Sequence, residues 1–307
     1  MSLMRSALLA ASESRFLRER ATKLRFVRAA VTRFMPGEDV ESALEASRAL
    51  GVPTVLTHLG ENLASAKEAG DVATHYLDVL ETIEKAGLDV EISVKLTQLG
   101  LDFSREECEK HLHALAERAK ALDNWIWIDM ESSAYTDVTL EIYRRAREKF
   151  PNTGLCVQAY LYRTAKDLEP LLALGAGIRL VKGAYREPPD KAFPRKSDVD
   201  ENFYRLATQL LSFQARTRGV RAIFGTHDPA LIRRIEDFGR MEKLPPQALE
   251  FQMLYGIRRQ EQERIAQAGY TFRVLISYGA AWWAWYMRRL AERPANVLFV
   301  VKTMLAR

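Results

Sequence analysis

Lys95, Asp129, Gln158, Lys182 and His227 each stand at or next to the end of a short, β-rich apolar run, in EISVKL, WIWIDM, GLCVQA, GIRLVK and RAIFGTH. Gln252 with Tyr255, and Tyr278, fall at the ends of two more. A cation, a carboxylate, an amide and an imidazole delivered by separate segments are the makings of a site assembled from several loops. One polar strand ending needs no explanation beyond a strand reaching solvent; eight polar residues over seven endings are harder to dismiss that way. Asp129 follows four large residues, and a carboxylate at the end of a buried strand is costly unless a cation or hydroxyl meets it. A structural ion pair and a functional acid both answer that need. In RLVKGAYRE (Arg179–Glu187) an arginine and a lysine lead into Gly183 and Ala184. The glycine lets backbone approach a ligand, and the cations suit phosphate or an electron-rich ring. A basic strand end with a turn is the plain alternative.

The stretch AAWWAWYMRRLAERP (Ala280–Pro294) sets Trp282, Trp283, Trp285 and Tyr286 against Arg288 and Arg289. On a helix Trp282, Trp285 and Arg289 fall at i, i+3 and i+7, and Arg288 and Glu292 at i and i+4. Two guanidiniums can clamp one carboxylate with defined geometry, while aromatic side chains wall the apolar part of the same ligand. Tryptophans packed on a core beside solvated arginines are the competing account. The phosphate-binding and nucleophile signatures are missing: there is no GxxxxGK[ST] and no GxSxG, and GAGIRL lacks a third glycine and precedes a strand instead of following one. His111 and His113, two apart, fall on different helix faces, so no metal centre is expected.

These residues need a frame. The 307-residue chain is 48% hydrophobic and 28% charged, with 45 Lys+Arg against 40 Asp+Glu and a net charge of +5, an interspersed mixture ordinary for a globular protein. Two cysteines without a CxxC pair suggest a reducing compartment. The first residues, MSLMRSALLAASESRF, do not read as a cleavable leader, and no apolar run reaches membrane-spanning length. Eight β-rich runs alternate with amphipathic helical patterns: Pro53–His58, Glu91–Leu96, Trp125–Met130, Gly154–Ala159, Gly177–Lys182, Arg221–His227, Glu250–Leu254 and Phe272–Ser277. Parallel βα units follow from that pattern. Eight of them over roughly 250 residues match a (β/α)8 barrel; an open, doubly wound sheet is the rival. The expected organisation is one domain over 1–307, a helical segment over 1–50 followed by a barrel over 51–307.

Seven motifs then occur in order: SVKLTQLGLDFS, WIDMESS, VQAYLYRT, RLVKGAYREP, THDP, EFQMLYG and RRLAERPAN, between Leu59 and Asn296. Together they resemble the proline dehydrogenase family in its monofunctional bacterial form. Each motif alone is modest; seven in order are specific. The resemblance implies an α/β fold, a distorted (β/α)8 TIM-type barrel with N-terminal helices. It also implies FAD as cofactor, oxidation of L-proline to Δ1-pyrroline-5-carboxylate in proline catabolism, and electrons passed to a quinone. The location implied is cytoplasmic, with peripheral attachment to the inner face of the membrane. By the same resemblance Lys95, Arg288 and Arg289 hold the substrate carboxylate. Asp129 and Arg179 flank substrate and flavin, and Leu254 covers the ring. Glu61, in LGEN, pairs with the first arginine as a lid. Met130, Gln158, Arg179, Lys182, Gly183, Ala184, Thr226, His227 and Glu292 contact FAD.

Two departures bear on the substrate. Where the family carries YxPxG after its eighth strand, with the tyrosine against the ring, this chain has LISYG and so Leu275. Three residues before the arginine pair, where the family often has tyrosine, stands Trp285. Both spare the clamp and the flavin site but open the choice of ring to 4-hydroxyproline or another cyclic secondary amino acid. A different class of function competes: a barrel gripping nucleic acid through RRAREKF (Arg144–Phe150) and the Trp–Arg helix. The interspersed charge argues for a small-molecule substrate and no nucleic acid.

Overall fold

The structure is a computed structural model, and the residues it describes are Ser14, Arg20, 31–60 and 63–292. Eight strands form one sheet: β1 Thr54–His58, β2 Val90–Val94, β3 Ile126–Ile128, β4 Thr153–Gln158, β5 Gly177–Val181, β6 Arg221–Gly225, β7 Glu250–Leu254 and β8 Thr271–Tyr278. Each pairs in parallel with the next, and β8 pairs with β1, closing a barrel. Closure excludes the open doubly wound sheet. All eight runs read from the sequence are strands, although WIWIDM yields only three strand residues. Asp129 lies just past them, its N–H still bonded to the Val94 carbonyl at 2.8 Å.

Ten α-helices flank the strands among the described residues: α1 Val40–Leu50, α2 Ala66–Ala86, α3 Arg105–Ala121, α4 Thr136–Lys149, α5 Thr164–Ala173, α6 Lys196–Leu210, α7 Phe213–Thr217, α8 Pro229–Met241, α9 Arg259–Gln267 and α10 Trp282–Glu292. Local chemistry starts several of them. Ser65 accepts from the Glu68 N–H, which ties off one of the donors left open at the start of α2, while the Glu68 carboxylate accepts from the Ala64 N–H and holds the residue before the cap. Asp228 caps α8 and Pro229 occupies its first position. Only α1 of the expected N-terminal helical segment falls wholly within the described residues.

The two-residue period of a strand decides what faces the lumen. Leu56, Ile92, Val94, Ile126, Ile128, Leu155, Ile178, Leu180, Phe224, Phe251, Val274 and Ile276 point outward into the main core beneath the helices. Their neighbours point in. At the N-terminal end of the barrel the lumen holds a charge network: Arg221 binds Glu250 and Glu91 at 2.8 Å each, Arg273 lies 3.4 Å from Glu91 and 3.5 Å from Glu250, and the Trp127 indole N–H donates to Glu91 at 2.7 Å. Trp125 and Trp127 stack with centroids 5.6 Å apart, and the Arg221 guanidinium lies over both rings. Gly154 makes room for this stack, since a Cβ there would sit 2.3 Å from the Trp127 ring.

This end of a barrel supports stability. Arg221→Met would leave Glu91 and Glu250 buried with reduced compensation, and breaking a buried pair costs about 3–5 kcal/mol. Urea denaturation should show a loss of that order.

Candidate active site

At the C-terminal mouth the lumen-facing residues of four strands meet. Arg179 on β5, only 2% exposed, donates to the Asp129 carboxylate Oδ1, to the Ser93 hydroxyl at 2.7 Å and to Gln252 Oε1 at 3.5 Å, and it lies over the Trp127 ring at 5.5 Å. The Ser93 hydroxyl donates to Asp129 Oδ1 at 2.9 Å. Lys95 Nζ, two residues further along the same face, reaches Asp129 Oδ2 at 3.3 Å. Burial alone would raise the Asp129 carboxyl. The Lys95 and Arg179 cations, with the Ser93 hydrogen bond, outweigh it and hold the group below its ordinary value, so it stays ionised. The cluster is a carboxylate fixed between two cations, with one cation at the rim.

The residues matched to flavin contacts line the β4–β6 side. Gln158 is buried; its amide N–H donates to the Met130 carbonyl at 3.3 Å and its Oε1 has no partner. An orphaned buried acceptor at the mouth suits a ligand that brings a donor, and a flavin ring carries one, so the donor set fits the cofactor. Lys182 sits in a closed square of alternating charge: it binds Asp200 and Asp228, and Lys196 binds the same two carboxylates. Gly183 has φ +112°, and its Cα packs against Tyr160 so closely that a Cβ would fall 2.3 Å from the ring. No side chain other than glycine fits that turn. Ala184 follows half-buried in the same loop. Glu187, further along, accepts from the Ser133 N–H at 2.7 Å and from Tyr160 at 3.3 Å, which anchors the loop across the mouth. The Thr226 hydroxyl accepts from the Asp228 N–H, and His227 Nε2 accepts from the Leu254 N–H at 2.8 Å.

Other expected residues lie elsewhere. Leu275 faces the lumen one layer deeper, packed with Val55, Trp127, Ile223 and Trp125. Trp285 is buried with Trp282, Trp283, Tyr286, Met287 and Leu290 of α10 in a satellite core that also takes Phe34, Leu59 and Ile257, with Leu254 at its edge. The tryptophans of the Trp–Arg stretch are thus core, which removes them from any membrane-surface or base-stacking role. Met130, Tyr255 and Tyr278 point away from the lumen into the outer core, because each directly follows an inward residue; for Tyr255 and Tyr278 this corrects the expectation of convergence on the pocket. Glu61 lies outside the described residues, as do the side chains of Arg288, Arg289 and Glu292. In RRAREKF, Arg145 pairs with Glu109 at 3.0 Å and Arg147 donates to the carbonyls of Thr153 and Gly175. Those cations are spent within the fold, which weakens the nucleic-acid alternative.

Sequence reasoning passed over Ser93, although SVK places it on the Lys95 face. It also passed over Asp200, Lys196 and Asp228, whose meeting depends on α6 crossing the end of β6.

Residues 40–302 match the model of the family described as Proline dehydrogenase. Proline dehydrogenase 1 of Bacillus subtilis subsp. natto is 40% identical over 299 residues, covering 94% of this chain and 97% of that one. Proline dehydrogenase of Deinococcus radiodurans is 38% identical over 281 residues, covering 89% of each. The chain belongs to the proline dehydrogenase family. Among solved structures, proline utilization A from Bdellovibrio bacteriovorus superposes with a TM-score of 0.80 at 23% identity, which speaks to the fold; it covers 94% of this chain, and this chain spans 36% of that one. Proline utilization A from Bradyrhizobium japonicum gives 0.76 at 26% identity, covering 90% of this chain and 32% of that one. Membership makes the chain an oxidoreductase acting on the CH–NH bond of proline, with a flavin. No helix among the described residues is long and apolar enough to cross a membrane.

Beside the mouth, outside the lumen, His58 packs on His75 at 4.9 Å between centroids and on Tyr278 at 5.2 Å, and His75 Nε2 meets the Tyr278 hydroxyl at 2.8 Å. Burial, then the nearby His75 and Lys95, lowers His58 from 6.5 to about 4. Between those values the unfolded chain binds a proton that the folded chain refuses. This part of the stability is therefore complete above about 6.5 and is lost as pH falls toward 4. Unfolding free energy measured by urea titration should fall over that window, and His58→Gln should flatten the slope.

Proposed function

We propose that this chain binds FAD non-covalently at the barrel mouth, oxidises L-proline to Δ1-pyrroline-5-carboxylate and passes the electrons to a quinone. The observation that carries the reading is the Arg179–Asp129–Lys95 cluster at 3.3 Å and closer, on the positions where the family holds substrate. Gln158, Arg179, Lys182, Gly183, Ala184, Thr226, His227 and Glu292 would hold the cofactor, with Met130 contributing only its main chain. When bound, the flavin supplies a hydride acceptor for the carbon beside the ring nitrogen. Lys95, Arg288 and Arg289 take the substrate carboxylate, which fixes the ring in a near-attack geometry. Cations close to the amine favour its neutral form, the form that gives up hydride. Asp129 keeps Lys95 and Arg179 in place, Leu254 and Trp285 wall the ring, and Glu61 closes over the clamp. A quinone acceptor places the enzyme in the cytoplasm against the inner face of the membrane.

Purified protein should be yellow, release FAD on acid treatment and bleach with proline under anaerobic conditions. Folded protein that neither carries nor rebinds FAD would refute the reading. Arg288→Met and Arg289→Met should each lose a charge-assisted bond of about 1.5–3 kcal/mol, lowering kcat/KM roughly 10- to 150-fold. Near-parental values in both would place the clamp elsewhere.

A second reading, 4-hydroxyproline as substrate, draws on Ser277. It stands where the family pattern has proline, on the lumen face with Leu275, and is 1% exposed with an unpartnered hydroxyl. A buried hydroxyl without a partner favours a ligand that supplies one. Ser277→Ala should then shift the ratio of kcat/KM for 4-hydroxyproline and proline toward proline, and an unchanged ratio would show that the Ser277 hydroxyl does not meet the ring.

A further inference from the structure

We infer that Ser93 is a positioning residue for substrate binding: its hydroxyl sets the orientation of Asp129, and through Asp129 the place of the Lys95 ammonium. The inference rests on the proposed proline-oxidising site and goes beyond the residues that the resemblance brings to it.

Ser93 is fully buried on β2, on the same lumen face as Lys95. Its hydroxyl accepts from Arg179 Nη2 at 2.7 Å and donates to Asp129 Oδ1 at 2.9 Å, so one oxygen joins both members of the buried ion pair. Asp129 Oδ1 has two holds, Ser93 and Arg179, while Oδ2 faces Lys95 at 3.3 Å. Arg179 keeps other restraints if Ser93 is lost: Gln252 at 3.5 Å and the Trp127 face. Asp129 keeps its two cations but loses its one neutral donor. With the hydroxyl gone, the pull of Arg179 turns its carboxylate about χ2, a soft torsion for this side chain. Oδ2 then leaves Lys95.

The main chain at Ser93 is secured independently of its side chain. The Ser93 carbonyl accepts from the Tyr76 hydroxyl at 2.9 Å, and the same hydroxyl accepts from the His58 N–H at 2.9 Å, which pins the ends of β1 and β2 together. Removing one oxygen atom from this strand therefore leaves the barrel's pairing in place and acts on the charges alone. The substrate carboxylate that Lys95 would meet keeps its charge from ground state to transition state. A misplaced ammonium thus weakens both equally and appears in KM.

The test is steady-state kinetics of flavin-loaded protein with proline. Ser93→Ala should raise KM about tenfold and change kcat by less than about threefold, with the FAD content of the parent. Ser93→Thr keeps the hydroxyl and should return KM toward the parent. In a double-mutant cycle, Ser93→Ala added to Asp129→Asn should raise KM little further, because the intermediary is already lost. A parental KM in Ser93→Ala overturns the inference, and so does an effect that is additive with Asp129→Asn. The cycle decides alone if the extra methyl of Ser93→Thr prevents folding. Parent protein that does not oxidise proline overturns the functional reading instead, an outcome visible before any variant is compared.

Discussion

A guanidinium with 2% of its surface exposed, inside a closed barrel, dictates what surrounds it. Arg179 cannot shed its charge, so the lumen must supply an anion, hydrogen-bond acceptors and an aromatic face. It supplies Asp129 from just past β3, Ser93 from β2, Gln252 from β7 and the Trp127 ring. Four strands are thereby tied by one side chain across the lumen, and the carboxylate so held is kept ionised. Lys95 adds a second cation against the single carboxylate. The buried pair fixes the geometry against which the rim cation rests.

How much of this was legible in the sequence follows from what periodicity can and cannot say. Eight β-rich runs separated by helical patterns gave the strands, because buried parallel strands read as nearly continuous apolar stretches. Closure did not follow from them: it depends on β8 meeting β1, a pairing between residues more than two hundred apart. Strand endings pointed to the mouth, but Tyr255 and Tyr278 show the limit of that signal. A polar residue one step past an inward position turns outward, so ending a strand is not the same as facing the lumen. Ser93 was hidden for the opposite reason. It lies inside its run, and only its two-residue offset from Lys95 marks it as inward. The square formed by Lys182, Asp200, Lys196 and Asp228 was illegible, since it needs α6 and the loop after β6 to come together in space.

The lumen contains a second charge network, and one side chain joins it to the first: the Gln252 amide donates to Glu250 at 3.3 Å and accepts from Arg179 at 3.5 Å. Glu91, Glu250, Arg221 and Arg273 close the N-terminal end, while Arg179, Asp129 and Lys95 stand at the mouth. Between them lies an apolar layer of Val55, Trp127, Ile223 and Leu275. Trp127 belongs to both sides: its indole N–H serves Glu91, and its ring receives Arg221 at 5.3 Å and Arg179 at 5.5 Å. A layer of this kind keeps water from reaching the mouth through the barrel, and charges above it act through a medium of low polarizability instead of water. It also keeps the lower carboxylates out of direct contact with Arg179, so that Glu91 adds only to the field that favours its charge and Glu250 reaches it through Gln252. Gly154 is part of the same device, because only a residue without a Cβ leaves the indole this position. The N-terminal end thus holds the barrel together, and the mouth is left with the charges that the chemistry of a small amino acid can use.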